Sequence, residues 1–379
     1  MYSEKDGLLL QLDFVAGEVE KFGGPGYIIS RPNLHNILLS LVPPERIHLN
    51  KQVLSHAETP AGIEIRTSDN MTHEGSILVG ADGTYSAVRQ SLYEQLGKGG
   101  LLPSSDKEPF KCSSICLVGQ TRPLEPKEFQ YSDDNFSTFE GILLDDKPIY
   151  IVIFTTAEKT ICWMLLEFLD QTTSKTDENF CPSEWGPEAA DAMCKEVRDY
   201  PAVRGMKMGD LIDATPKEVI CKVMLEEKLF ETWTYGRTVL LGDACHKMNP
   251  SGALGAQTAM GDAVVLANYI NTLTTIESEE VEKALRAYKE ERYPLGKEGV
   301  ETSAAMFNIY KQGFVGKIVR GILGYMPRWL WFQIRARGVR CRPQISFLPL
   351  AQDKCQIKAM HQPSLENTRP KNMAADALK

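Results

Sequence analysis

The chain has 379 residues, 43% of them hydrophobic, with a net charge of -8 and a pI near 5.5. That length supports a large core or two domains, and the acidic balance argues against a general nucleic-acid binder. Nine scattered cysteines suggest no disulfide framework, and Cys112 and Cys116 have no second pair of metal ligands near them. The expected setting is intracellular, either cytoplasmic or peripherally membrane-associated. The N-terminus lacks the charged-then-apolar pattern of a secretory signal, and no uncharged apolar run approaches the ~20 residues that span a bilayer.

In chain order, residues 7–15 (GLLLQLDFV) read as a strand and 27–30 as a short extended piece. Residues 30–42 read as a helix: Ser30 stands at the N-cap, Pro32 suits the first turn, and Leu34, Ile37, Leu38 and Leu41 form an apolar stripe. Strands are expected at 46–49, 52–56 and 62–67. The stretch GSILVGADG (75–83) is an apolar strand running into Gly-Ala-Asp-Gly, and helical spacing resumes over 84–96. Residues 110–121, 149–156 and 160–167 suggest a separate antiparallel sheet. Residues 189–200 and 216–230 have mixed patterns. RTVLLGD (237–243) is a continuous apolar run of the kind found inside parallel sheets. A helix is expected at 255–273, and a long one at 279–310 with a kink at Pro294. From about residue 356 the tail is polar and expected to be mobile.

The segment from Arg237 to Ala256, RTVLLGDACHKMNPSGALGA, carries the chemistry. A parallel strand ending in Gly-Asp presents its acid at the carboxyl edge of the sheet, where open α/β folds bind ligands. Asp243 there can accept hydrogen bonds from sugar or ribityl hydroxyls. Gly252 and Gly255 permit close backbone approach, and a helix starting near Gly255 offers free N–H groups. The simpler reading is a glycine-rich turn with an N-capping acid.

Gly242-Asp243-Ala244 with His246, Pro250, Gly252, Gly255 and Asp262-Ala263 resembles the second FAD-binding motif of the class A flavoprotein monooxygenases. ILVGADGTYSAVR (77–89) resembles that family's Asp-Gly motif, complete here as Asp82, Gly83, Ser86 and Arg89. SRPNLHNILL resembles the helix whose arginine, here Arg31, lies on the flavin side, and YKEERYP (288–294) and RPQISFLPL (342–350) resemble C-terminal segments. The resemblance covers roughly residues 7–350. It implies an α/β fold: an incomplete Rossmann-like FAD-binding domain with an inserted antiparallel β-sheet substrate domain and C-terminal helices. The implied divisions are 1–108 and 231–310 for the FAD domain, 109–230 for the substrate domain, 311–355 for a basic-aromatic helical segment, and 356–379 for a flexible tail. The implied cofactors are FAD and NAD(P)H, and the implied activity is O2-dependent hydroxylation or epoxidation of a small apolar aromatic or terpenoid metabolite. Arg31, Asp243 and Ala256 are the implied FAD contacts. Gly252 and Gly255 would line the isoalloxazine, and Asp82 and Gly83 would sit by the pyrophosphate and the path of NAD(P)H.

The family opens with a strand, a G-x-G-x-x-G loop, a helix and an acid on the second strand, and none of these has a counterpart here. Gly23, Gly24 and Gly26 have the wrong spacing and read as a turn. Weakened FAD affinity is expected, and the alternative is an N-terminally truncated, non-catalytic flavoprotein remnant acting as a binding protein. No side chain stands out as a catalytic base: His246 reads chiefly as a packed or carbonyl-bonded residue. Tyr131, Tyr150, Tyr235 and Arg237 could border a substrate pocket, and the sheet reading puts Tyr150 in a core strand just as easily. Residues 311–343 contain eight Lys or Arg and no Asp or Glu, interleaved with aromatics. Either they rest on an anionic membrane face or they form a packed helix with a solvated basic side.

Overall fold

A computed structural model describes residues 1–3, 7–9, 19–24, 28–129, 137–169 and 187–368. The N-terminal stretch departs from expectation. Strands β1 (Tyr2–Ser3) and β2 (Gly7–Leu8) pair with each other, and β1 adds in parallel to a strand of the large antiparallel sheet. These residues therefore extend the large antiparallel sheet, although the sequence placed them in the FAD domain; residues 10–15 of the expected strand lie outside the described residues. After the short helix α1 (Val19–Phe22) comes α2 (Arg31–Leu39), capped as expected by Ser30, whose hydroxyl accepts from the Asn33 amide at 3.4 Å. Its apolar stripe is not covered, and no residue of α2 is buried. The strand expected at 46–49 is absent. Pro43 and Pro44 start a 3-10 turn there instead, since proline supplies no ladder donor.

Strands β3 (Val53–Thr59), β4 (Gly62–Thr67) and β5 (Thr72–Gly75) form a small antiparallel sheet. Then β6 (Leu78–Gly80) leads into α3 (Ala87–Lys98) and the single turn α4 (Ser104–Lys107).

The large sheet is built from β7 (Lys111–Gln120), β8 (Phe139–Leu143), β9 (Ile149–Thr155), β10 (Ile161–Phe168) and β11 (Cys221–Leu229). Strands β8, β9 and β10 are successive antiparallel neighbours, β7 lies on the far side of β10, and β11 returns beside β7. Alternation decides the two faces. Leu117, Ile151, Ile153, Trp163 and Leu165 pack beneath α5 (Pro187–Val197) and α6 (Met208–Asp213). Cys116, Tyr150, Val152 and Leu166 face the opposite way, into a cluster that includes Phe307.

The chain then forms β12 (Thr234–Tyr235), β13 (Thr238–Leu240) and β14 (His246–Lys247), followed by α7 (Gly255–Ile270) and the long α8 (Ser278–Phe307). Pro294 lies inside α8, which is continuous across it. β13 pairs in parallel with β6, with Leu240 opposite Gly80. Val239, Leu240, Val265, Leu266, Val281, Leu285 and Tyr288 make the core of this unit. Helices α9 (Gly313–Gly324), α10 (Arg328–Arg340) and α11 (Pro363–Thr368) complete the described fold. Residues 356–368, expected to be mobile, are held in place: the Gln356 amide donates to the Lys21 carbonyl, and the Ser364 amide donates to Glu291 at 2.8 Å.

Candidate cofactor site

Because β6 and β13 are parallel neighbours in register, the turns that follow them leave the sheet at the same edge. Asp82-Gly83 follows β6, and Gly242-Asp243 follows β13. Two sequence motifs about 160 residues apart thus meet where a doubly wound sheet places its ligands.

The first turn is wired to α3. The Asp82 carboxylate accepts from the Ser86 hydroxyl at 2.5 Å and from the Ala87 and Val88 amides at 2.7 and 3.2 Å. Ser86 in turn accepts from the Arg89 amide at 2.9 Å. These bonds satisfy the orphan donors of the helix start. Helix α3 accordingly begins at Ala87, later than the spacing suggested. Arg89 is buried, with its guanidinium 4.2 Å from the centre of the Phe230 ring. It donates to the Thr84 carbonyl at 2.7 Å and the Ala244 carbonyl at 2.9 Å, tying the two motif turns together.

The second turn rests on a buried hub. Gly242 has φ +62°, a left-handed conformation that favours glycine, and its amide donates to Asp262 at 3.2 Å. Asp262, wholly buried, also faces His246 Nε2 at 2.5 Å and Arg292 Nε at 2.7 Å. Burial pulls the Arg292 guanidinium down, but its charge interactions and hydrogen bonds with Asp262 and Cys341 together outweigh that and leave it above its ordinary value. Cys245, His246 and Asp262 bring ligand-type atoms within 4.8 Å of one another. Their chemistry is that of a salt-bridged hub: Arg292 already compensates the Asp262 charge, and burial pushes the Cys245 thiol well up, so it holds its proton.

The remaining predicted residues divide. Asp243 is half-buried in a 3-10 turn and paired at 2.7 Å with Lys247, four residues on in β14. Gly255 opens α7, whose first turn has no side-chain cap, and Ala256 is exposed beside it. At Gly83 and Gly255 no heavy atom lies within 4 Å of where a Cβ would stand, so both are open to an approaching group. Gly252 differs: a Cβ there would strike Ser303 of α8, so this glycine serves helix packing. Arg31 is exposed at the start of α2, and no hydrogen bond joins it to Asp243. Of the four pocket candidates, Tyr150 stacks on Tyr310 in the core, with ring centres 4.6 Å apart. Arg237 is buried and donates to the Ser76 and Ile276 carbonyls, Tyr235 is exposed on an edge strand, and Tyr131 lies outside the described residues. Sequence reasoning did not anticipate the Asp262–Arg292 pair or the Asp243–Lys247 pair. Only the latter has a local signal, in its four-residue spacing.

Together these features define a dinucleotide-type α/β unit joined to an antiparallel sheet. Residues 204–303 match the family model described as FAD binding domain. The chain is 30% identical over 284 residues to the FAD-dependent monooxygenase ptmM of Penicillium ochrochloron, covering 73% of this chain and 64% of that protein. It is 26% identical to the FAD-dependent monooxygenase ausM of Emericella nidulans, covering 91% and 71%. Among solved structures, HpxO of Klebsiella pneumoniae, complexed with FAD and uric acid, superposes with a TM-score of 0.65 at 17% identity, covering 86% of this chain and 76% of that one. A salicylate hydroxylase substrate complex gives 0.57 at 18%, covering 83% and 75%. In sequence and fold the chain is similar to FAD-dependent monooxygenases. It spans 64%, 57% and 57% of the length of three of its curated relatives.

Proposed function

We propose that the chain acts as an FAD-dependent monooxygenase that uses NAD(P)H and O2 to hydroxylate or epoxidise an apolar aromatic or terpenoid metabolite. The observation that carries this reading is the convergence of the Asp82 and Gly242-Asp243 turns at one edge of the β6–β13 pair. The residues present fit a flavin: a half-exposed acid, an uncapped helix start and two glycines with open space before them. Asp243 would accept hydrogen bonds from flavin hydroxyls, and Gly255 and Ala256 would offer amides at the N-terminus of α7. Arg89 and Asp262 would act as positioning residues, since they fix the two turns from behind. When bound, the flavin supplies the oxygen chemistry; the protein supplies orientation and a dry surface. Partly buried Phe154, Met164 and Phe168 flank the apolar cluster on one sheet face, which suits an apolar substrate.

The test is a flavin titration of the purified chain followed by absorbance and fluorescence. Saturable binding is expected, with Asp243→Ala weakening it by roughly ten- to a hundredfold, the range for a hydrogen bond to a charged group. A chain that never takes up flavin returns the reading to a non-catalytic binding protein. Unchanged affinity in Asp243→Ala would remove that residue from the site.

A further inference from the structure

We propose that α9 and α10 dock the protein peripherally on an anionic lipid surface. The observation is independent of the flavin site. On α9, Phe314, Ile318, Ile322 and Tyr325 recur at helical spacing and stand 79%, 45%, 60% and 93% exposed. The other side of the helix is fixed to the protein: Arg320 is buried and donates to the Ile309 and Lys311 carbonyls at 2.8 and 2.9 Å. The helix is therefore amphipathic with its apolar row toward solvent, the reverse of what packing alone selects.

Helix α10 continues the surface. Trp331 Nε1 donates to the Leu323 carbonyl at 3.3 Å, linking the two helices. Trp329 is 67% exposed, and Arg337 and Arg340 follow it at helical spacing, both exposed. Residues 311–343 carry eight basic and no acidic residues within a chain of net charge -8. Arg320 is buried and Arg342 pairs with Asp353, so the cations this face presents are the exposed Lys317, Arg337 and Arg340, and together with the exposed aromatic and aliphatic side chains they match an interface of acyl chains under anionic headgroups. Among the described residues no helix is long and apolar enough to cross a membrane, so the contact lies in the interface plane.

Flotation of the full chain with vesicles tests this, using phosphatidylcholine alone and phosphatidylcholine mixed with phosphatidylserine, at low and high salt. Binding is expected only to the anionic vesicles, with loss at high salt and a blue shift of tryptophan emission that Trp329→Phe removes. Lys317→Gln and Arg337→Gln should each weaken binding roughly fivefold, the equivalent of about 1 kcal/mol per charge near the surface. Phe314→Ser with Ile318→Ser should abolish it while leaving the thermal melt unchanged. Three outcomes overturn the proposal. One is no flotation on either vesicle. Another is equal, salt-insensitive flotation on phosphatidylcholine alone. The third is a self-associated chain that the Phe314/Ile318 variant returns to monomer without any vesicle binding, which would make a second copy the occupant.

Discussion

Asp262 and Arg292 are buried at 0% and 1% side-chain exposure, and the charge of each is answered mainly by the other. Two such charges gain little over an apolar pair, but removing one partner leaves the other stranded. Arg292→Met should therefore destabilise the fold by about 3–5 kcal/mol, read from the denaturant midpoint. A loss below about 1 kcal/mol would show that Asp262 relies on His246 and the Gly242 amide instead. His56 gives a pH signature. It is buried, its Nδ1 has no partner among the described residues, and desolvation lowers its pKa from the ordinary 6.5. The unfolded chain then takes up a proton that the folded chain refuses. This contribution to stability is present above pH 6.5 and is lost as the pH falls from there toward the lower folded value. Midpoints measured across that window should slope downward with acid in the parent and flatten in His56→Gln. Identical slopes would place the titration elsewhere.

At the scale of elements, the Asp-Gly motif is a helix start as much as a ligand contact. Asp82 and Ser86 together satisfy the first amides of α3, so Asp82→Ala should lower the stability of flavin-free protein by about 1–2 kcal/mol. A thermal melt without flavin reads this directly, and an unchanged midpoint would leave the acid to the cofactor alone. The motif was legible in the sequence because its four residues sit within eight consecutive positions, Asp82 to Arg89. The dual role was not, because it depends on which amides the turn presents. Helix α2 makes a related point. Its Ser30 cap was readable from residue type and spacing, whereas the fate of its stripe was not, and Ile37 and Leu41 stand 53% and 76% exposed.

Across the whole molecule, α8 joins two cores. Val281, Leu285 and Tyr288 pack beside β13, and Phe307 at the far end packs against the large sheet. β14, which leaves the Gly242-Asp243 turn, also pairs with β11 of that sheet. The two layers should unfold as one unit. Trp163 reports on the sheet and Trp233 on the parallel unit, both fully buried. Denaturation curves followed with Trp163→Phe and Trp233→Phe variants should change midpoint only by each variant's own cost and keep a single transition. Two separated transitions would mean that α8 transmits little between the layers.

The sequence by itself determined the local features: the apolar strands expected at 149–156 and 160–167, the capped start of α2, and the two glycine-acid turns after apolar strands. Each depends on neighbours a few residues away, where backbone sterics and side-chain spacing suffice. Only the tertiary structure decided the rest. It joined Arg89 to Ala244 across 155 residues and Asp262 to Arg292 across 30, and it set β1 beside β8. It also buried Tyr150 in the core and left the row on α9 in solvent. A buried charge, an edge strand and an apolar stripe each need a partner, and the identity of that partner follows from which distant surfaces the packed chain brings together.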